Sequence, residues 1–416
     1  MSDLPVTVDA DRVSRELAEL ATFSDAEPPA VTRVLYTDAD LRARAFLKRL
    51  SADAGLAVRE DPIGNLFARW AGYEPGLQAI GTGSHTDAIP HSGRYDGTVG
   101  VLGGLAAIRA LQTAGYRPRR SIELLMFTSE EPTRFGIGCV GSRGLCGALS
   151  PERLADLRDD EGRRLDDVRQ AAGFHGDLAG VRLPKDYYAA FVELHIEQGP
   201  ILEREGIPIG IVTAIAAPAA LRVTLDGEGG HAGAVLMPDR RDALCAAAEV
   251  VLAVEAAAKA TGSPDTVATA GVCRVHPGAI NSVPSRAHLE IDVRDVRLEP
   301  RDRAVGAIRG AVEDVSRRRG VRSAVELLNA DPPAAMAEPV MSAAEAACQR
   351  LGLASKRMVS RAYHDSLYMA RLCDTGMIFI PCRGGVSHRP DEYASPEAIA
   401  NGVAVLANTL ASLSTG

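Results

Sequence analysis

The feature that most constrains this chain is a set of short apolar runs, each breaking off at a histidine or a carboxylate. Ala79-Ile80-Gly81-Thr82-Gly83-Ser84 ends at His85, and Ser121 to Phe127 ends at Thr128-Ser129-Glu130-Glu131. Phe191-Val192-Glu193-Leu194 ends at His195, and Met377-Ile378-Phe379-Ile380 leads into a Gly-rich loop that ends at His388. Apolar runs this short read as buried strands. Between the first two, Val99, Leu102, Leu105 and Ile108 mark a helix beginning just after Asp96-Gly97. Strands alternating with helices predict an α/β sheet packed on both faces. In such sheets ligands gather outside the carboxyl ends of the strands, which is where these His and Glu residues fall.

The rest of the chain divides by texture. Val13, Leu17 and Leu20 predict an N-terminal helix. Within 214–329, Leu221, Val223 and Leu225 alternate with polar residues, as do Leu289, Ile291 and Val293, the pattern of half-exposed strands. Helical stretches accompany them over Arg240 to Ala260 and Arg301 to Arg319, the second with a stripe of Val305, Ile308, Val312 and Val315. This predicts an α+β module inserted in a larger α/β domain, with segments 1–213, 214–329 and 330–416. The basic run Arg317-Arg318-Arg319 reads as a solvated helix end. After Ser395-Pro396, an N-cap and a first-turn proline, a closing helix carries Ile399, Val403, Leu406, Leu410 and Leu413 on one stripe.

Charge narrows the partners. Lys+Arg 46 against Asp+Glu 54 leaves a net charge of −8, the wrong sign for a protein that meets phosphates. No unbroken apolar run approaches the roughly 18 residues of a membrane helix. Met1-Ser2-Asp3-Leu4-Pro5 shows no basic and then apolar leader, and the seven cysteines are scattered with no Cys-x-x-Cys pair. The expectation is a soluble cytoplasmic protein with a small-molecule partner, and with neither nucleic acid nor membrane.

The polar groups at the strand ends are individually unremarkable in type. A lone His85-Thr86-Asp87 is most often structural, Asp96 at the mouth of a helix is an ordinary N-cap, and Glu130-Glu131 suits a solvated turn. Their convergence with His195 and His388 changes the reading, because imidazoles and carboxylates together are the ligand set of first-row divalent ions such as Zn²⁺ or Mn²⁺. With one carboxylate shared, five ligands can hold two ions and leave positions open to water. Neighbouring Glu130 and Glu131 diverge, so one binds metal while the other faces the water as a general base. In the inserted module, His231 in Gly229-Gly230-His231-Ala232-Gly233, Asn281 and Arg294 are candidates for an anion and oxyanion site. A phosphate loop, a Gly-x-Ser-x-Gly elbow, a His-Glu-x-x-His helix and a dinucleotide fingerprint are all absent from the sequence.

At these residues the chain resembles the dinuclear-metal amidohydrolases of the peptidase M20 family, in the branch of carbamoylases and allantoate amidohydrolases. The similarity runs from Gly83-Ser84-His85-Thr86-Asp87 to Ser387-His388-Arg389-Pro390-Asp391-Glu392-Tyr393. It implies an exopeptidase-like catalytic domain with an inserted ferredoxin-like lid and dimerisation domain. It further implies that His85, Asp96 and His195 hold one ion and Asp96, Glu131 and His388 the other, with Asp87 supporting His85 and Glu130 as the base. Gln198, Asn281, Arg294 and His364 would hold substrate, and His231 would cross a homodimer interface to stabilise the oxyanion. Ser360-Arg361-Ala362-Tyr363-His364-Asp365-Ser366 departs from the Ser-Gly-Ala-Gly-His-Asp-Ala usual in that branch. This variant is similar to members that act on a small 2-hydroxy ureide in purine catabolism, with Tyr363 reading the substrate hydroxyl. The implied activity is hydrolysis of (S)-ureidoglycolate to glyoxylate, ammonia and carbon dioxide with two divalent ions per subunit, Mn²⁺ first and Zn²⁺ next. The alternatives are an N-carbamoyl-L-amino acid hydrolase, an allantoate amidohydrolase, and a non-catalytic ureide-binding protein.

Overall fold

The computed structural model describes residues 6–416; Met1 to Pro5, on which the expectation about a leader rests, lie outside the described residues. The four apolar runs are strands: Ala79–His85 (β1), Ile122–Phe127 (β2), Tyr188–Ile196 (β3) and Asp374–Ile380 (β4). They pair in parallel in the order β4-β3-β1-β2. Every residue of β1 and β2 is buried, which is why they lack the alternation of a one-sided strand. Leu66–Trp70 adds antiparallel beyond β2, and Ile209–Ile215 antiparallel beyond β4. The first of these flanks is only five residues long and carries Arg69, so no period marks it in the sequence.

Successive residues of a strand face opposite sides, and β3 uses both. Phe191 enters a cluster with Phe127, Leu145, Leu165 and Met369. On the other side Leu194 meets the helices Thr98–Thr113 (α1) and Pro396–Thr415 (α2). A Cβ on Gly100 would sit 2.4 Å from the Leu194 carbonyl oxygen, so the glycines of α1 serve close helix–sheet contact. By length and composition alone α2 is apolar enough to cross a membrane. Its Ile399, Val403, Leu406 and Leu410 are at most 2% exposed, however, and it packs along β4 and α1 as a core helix.

Two compact units result. One holds the chain up to Thr213 with Ala335–Met358 and His364–Gly416; the other holds Ala214–Ala334 and Val359–Tyr363. The second unit therefore runs past residue 329 and takes in the segment that ends at Tyr363. Four of its strands form an antiparallel sheet in the order Val267–His276, Arg286–Asp295, Ala217–Asp226, Arg322–Ala330. With helices Ala243–Ala260 and Leu298–Arg319 this is the β-α-β-β-α-β ferredoxin-like arrangement. Leu221, Val223, Leu225, Leu289, Ile291 and Val293 bury one sheet face against Val250, Ile308 and Val312. The first helix starts at Ala243 rather than Arg240 because Asp242 caps it, accepting the N–H of Leu244 and Cys245. The second starts earlier than predicted, at Leu298, and its closing Arg317-Arg318-Arg319 pairs with Asp314 and Glu249.

Candidate active site

The parallel strands deliver their polar groups to one end of the sheet. His85 closes β1, Glu130 and Glu131 follow β2, His195 lies at the end of β3, His388 follows β4, and Asp96 precedes α1. Asp96 is the centre. Its Oδ1 lies 3.2 Å from His195 Nε2 and 3.6 Å from His85 Nε2, and its Oδ2 lies 3.1 Å from His388 Nε2. Glu131 Oε1 lies 3.2 Å from the same nitrogen of His388. Two donor groups form, His85-Asp96-His195 and Asp96-Glu131-His388, with the atoms of each within 4.8 Å of one another. This imidazole-carboxylate set, with one carboxylate common to both, fits divalent cations of the first row. The side chains of His85 and His195 are 2% and 1% exposed and that of His388 is 45% exposed, so the second group is the one that meets solvent.

Neighbours aim the ligands. His85 Nδ1 lies 3.0 Å from the Asp87 carbonyl oxygen and His195 Nδ1 2.9 Å from that of Ile196. A proton held on each Nδ1 leaves the Nε2 lone pair facing the cluster. A Cβ on Gly97 would lie 2.4 Å from the His85 ring, so only glycine lets the Asp96 turn come this close. The Asp87 carboxylate accepts the N–H groups of Glu130 and Glu131, at 3.2 and 3.0 Å, so it orients the acidic pair as well as facing His85. Glu392, which the sequence reading left without a role, accepts from Tyr95 N at 2.7 Å and Asp96 N at 3.0 Å. The Ser387 hydroxyl lies 2.9 Å from both Glu392 Oε2 and Asp96 Oδ2. The signal for Glu392 was its place in the polar run after His388, but no spacing ties it to Asp96.

The charges lean on one another. Burial alone would raise the Asp96 carboxyl, but His195, His388 and His85 hold it well below the usual carboxylate range. Asp96 and Glu131 push His388 up to about 11. Burial opposes protonation of His85 and His195, yet Asp87 and Asp96 raise the first and Asp96 raises the second. Glu130 belongs to neither donor group; its Oε2 is 3.8 Å from His85 Nε2. Burial pushes its carboxyl well up, against the pull of His85 and with the help of Glu131 and Asp365.

The remaining candidates fall in two places. In the first unit Gln198 Nε2 donates to Asp96 Oδ2 at 2.8 Å, and His364 meets the His195 ring edge-on at 4.6 Å between centroids. Glu193, His195 and His364 make a third cluster of donors. Glu193 is already engaged by the Ser84 and Ser366 hydroxyls, both at 2.6 Å, which marks it as structural. In the second unit His231 and Asn281 are neighbours: both are exposed, and Ala232 N donates to the Asn281 carbonyl at 2.8 Å. Arg294 Nε pairs with Asp292 at 2.6 Å and its guanidinium also donates to the Arg361 carbonyl at 3.2 Å. Tyr363 donates its phenol to Asp331 Oδ2 at 2.9 Å.

Fold and site together define an amidohydrolase, and the chain belongs to peptidase family M20/M25/M40, whose model matches residues 81–412. Among its relatives is the ureidoglycolate hydrolase of Oryza sativa subsp. japonica, 54% identical over 99% of this chain and 86% of that protein. The N-carbamoyl-L-amino acid amidohydrolase of Geobacillus stearothermophilus is 38% identical over 98% of this chain and 100% of that protein. The crystal structures of AtUAH in complex with glyoxylate and with (S)-hydroxyglycine each superpose with a TM-score of 0.91 at 52% identity, covering 99% of both chains.

Proposed function

We propose that this chain hydrolyses (S)-ureidoglycolate to glyoxylate, ammonia and carbon dioxide, with two divalent cations per subunit and Mn²⁺ the first choice over Zn²⁺. The observation that carries the reading is the arrangement around Asp96: two donor groups share one carboxylate, and Glu130 stands beside them as a member of neither. The higher identity to the rice ureidoglycolate hydrolase than to the carbamoylase supports the choice of ureide. So does Tyr363, whose bulk and phenol suit a small hydroxylated substrate.

When bound, the cation pair supplies Lewis acidity to the ureido carbonyl and makes the attacking water more acidic. Glu130 takes the proton of that water and passes it to the leaving nitrogen, so that ammonia departs neutral. The carbamate left behind loses carbon dioxide, and the resulting hydroxyglycine yields glyoxylate and a second ammonia. Gln198, Asn281, Arg294 and His364 hold the substrate, with Arg294 as the fork for its carboxylate. His231 Nδ1 accepts the Gly233 N–H at 3.1 Å, so the neutral ring carries its proton on Nε2, ready to donate to an oxyanion.

The exposure of Leu236, Met237 and Ile280, at 68%, 73% and 103%, supports a homodimer that covers this apolar surface around His231. In that dimer His231 of one protomer serves the site of the other. Cysteines free of disulfides at all seven positions support a reducing, cytoplasmic setting. Two experiments test the reading. Glyoxylate formation from (S)-ureidoglycolate should vanish on chelation and return with Mn²⁺. Glu130→Gln should keep its metal but lose roughly 10²–10⁴-fold in turnover, the usual share of a general base; near-normal turnover with full metal content overturns the assignment.

A further inference from the structure

Glu130 is gripped by a residue on which the reaction makes no direct claim. Cys139 is fully buried, and its backbone is left-handed, with φ 56° and ψ 36°. A non-glycine side chain is uncommon there, and glycine would adopt that conformation at lower cost. Residues 139–141 run back along the segment that carries the acidic pair: Cys139 N donates to Glu130 O at 2.8 Å, Val140 N to Ser129 O at 2.9 Å, and Gly141 N to Thr128 O at 2.7 Å. From that clamp the Cys139 Sγ reaches Glu130 Oε1 at 3.6 Å, while Glu130 Oε2 faces His85 Nε2 at 3.8 Å. The two carboxylate oxygens are thus distinguished, one toward the thiol and one toward the metal ligands.

We propose that Cys139 is a positioning residue for the base: its S–H holds Glu130 Oε1, so that Oε2 is the oxygen that takes and returns the proton. The proposal rests on the reading of Glu130 as that base. Cys139 belongs to none of the donor groups among the described residues, so it is not placed as a metal ligand. Burial, and next the charge of Glu130, push its thiol well up, which keeps the S–H intact as a donor and removes it as a nucleophile. The left-handed backbone at Cys139, which glycine would adopt at lower cost, points to a use for the side chain itself.

The test compares Cys139→Ser, which keeps a donor, with Cys139→Ala and Cys139→Gly, which do not; glycine guards against a misfolded alanine variant because it suits the left-handed backbone. Ala and Gly should lower kcat about tenfold, the low end for a hydrogen bond to a charged group, with KM and metal content unchanged. Ser should stay within about threefold of the parent. In a Glu130→Gln background the alanine substitution should cost nothing more, since the thiol acts through that carboxylate. Parent-like kcat in folded, metal-loaded Ala and Gly variants overturns the proposal. So does an equal loss in Ser, which would mean packing alone, or a full tenfold loss on top of Glu130→Gln. The single Glu130→Gln variant reports separately on whether that residue is the base.

Discussion

Glu392 accepts the backbone N–H of Asp96 at 3.0 Å and so holds from behind the one carboxylate that both donor groups share. Its other oxygen lies 2.9 Å from the Ser387 hydroxyl, one residue before His388. A residue that supports a shared ligand should affect both ions. Glu392→Ala is expected to weaken metal binding by roughly 10–100-fold, the usual effect of losing such a partner. Chelator competition followed by metal analysis measures it, and loss at only one of the two sites would contradict the shared role of Asp96.

Protons and cations compete for this site. His388 is pushed up to about 11 by Asp96 and Glu131, so in the absence of a cation its ring is protonated around neutrality; Asp87 and Asp96 raise His85, and Asp96 raises His195, in the same direction. Metal binding therefore releases protons, and affinity should rise with pH by about tenfold per unit for each proton displaced. The same linkage makes affinity fall as pH drops. Titration calorimetry in two buffers of different ionisation enthalpy counts the protons; no release at pH 7 would contradict these directions.

The packing of α1 makes a stability prediction. Gly100→Ala puts a Cβ 2.4 Å from the Leu194 carbonyl oxygen, and the obstacle is backbone rather than a movable side chain. Overpacking of this kind costs about 1–3 kcal/mol. The midpoint of chemical denaturation should fall accordingly. An unchanged midpoint would mean that α1 can move off the sheet.

How much of this was legible in the sequence depends on how each contact is made. The ends of β1 to β4 stood out because fully buried parallel strands leave unbroken apolar runs, and the chemistry interrupts them at one end. The helix from Ala243 was placed too early because apolar spacing ignores its cap, although Asp242 was there to be read. Glu392 and Cys139 were not legible in role. Glu392 acts on Asp96 across 296 positions through a backbone N–H that any residue would supply. Cys139 acts through a left-handed turn that no residue type announces. Arg294 and Tyr363 could be nominated, but their pairings with Asp292 and Asp331 belong to the folded second unit.

Those two residues set the specificity prediction. Losing a charge-assisted contact in a closed site costs about 2–5 kcal/mol, so Arg294→Ala should lose roughly 30- to several-thousand-fold in kcat/KM. Tyr363→Gly should reduce ureidoglycolate turnover while leaving room for allantoate or an N-carbamoyl amino acid. A parallel loss on all three substrates would show that Tyr363 supports the fold of its segment and does not select.

The most direct measurement is kcat/KM of the Mn²⁺-loaded protein for (S)-ureidoglycolate, allantoate and an N-carbamoyl-L-amino acid, followed by ammonia release. The account predicts that (S)-ureidoglycolate is preferred, with glyoxylate as its product. A preference of roughly tenfold or more for the N-carbamoyl amino acid or allantoate, about 1.4 kcal/mol, would contradict it.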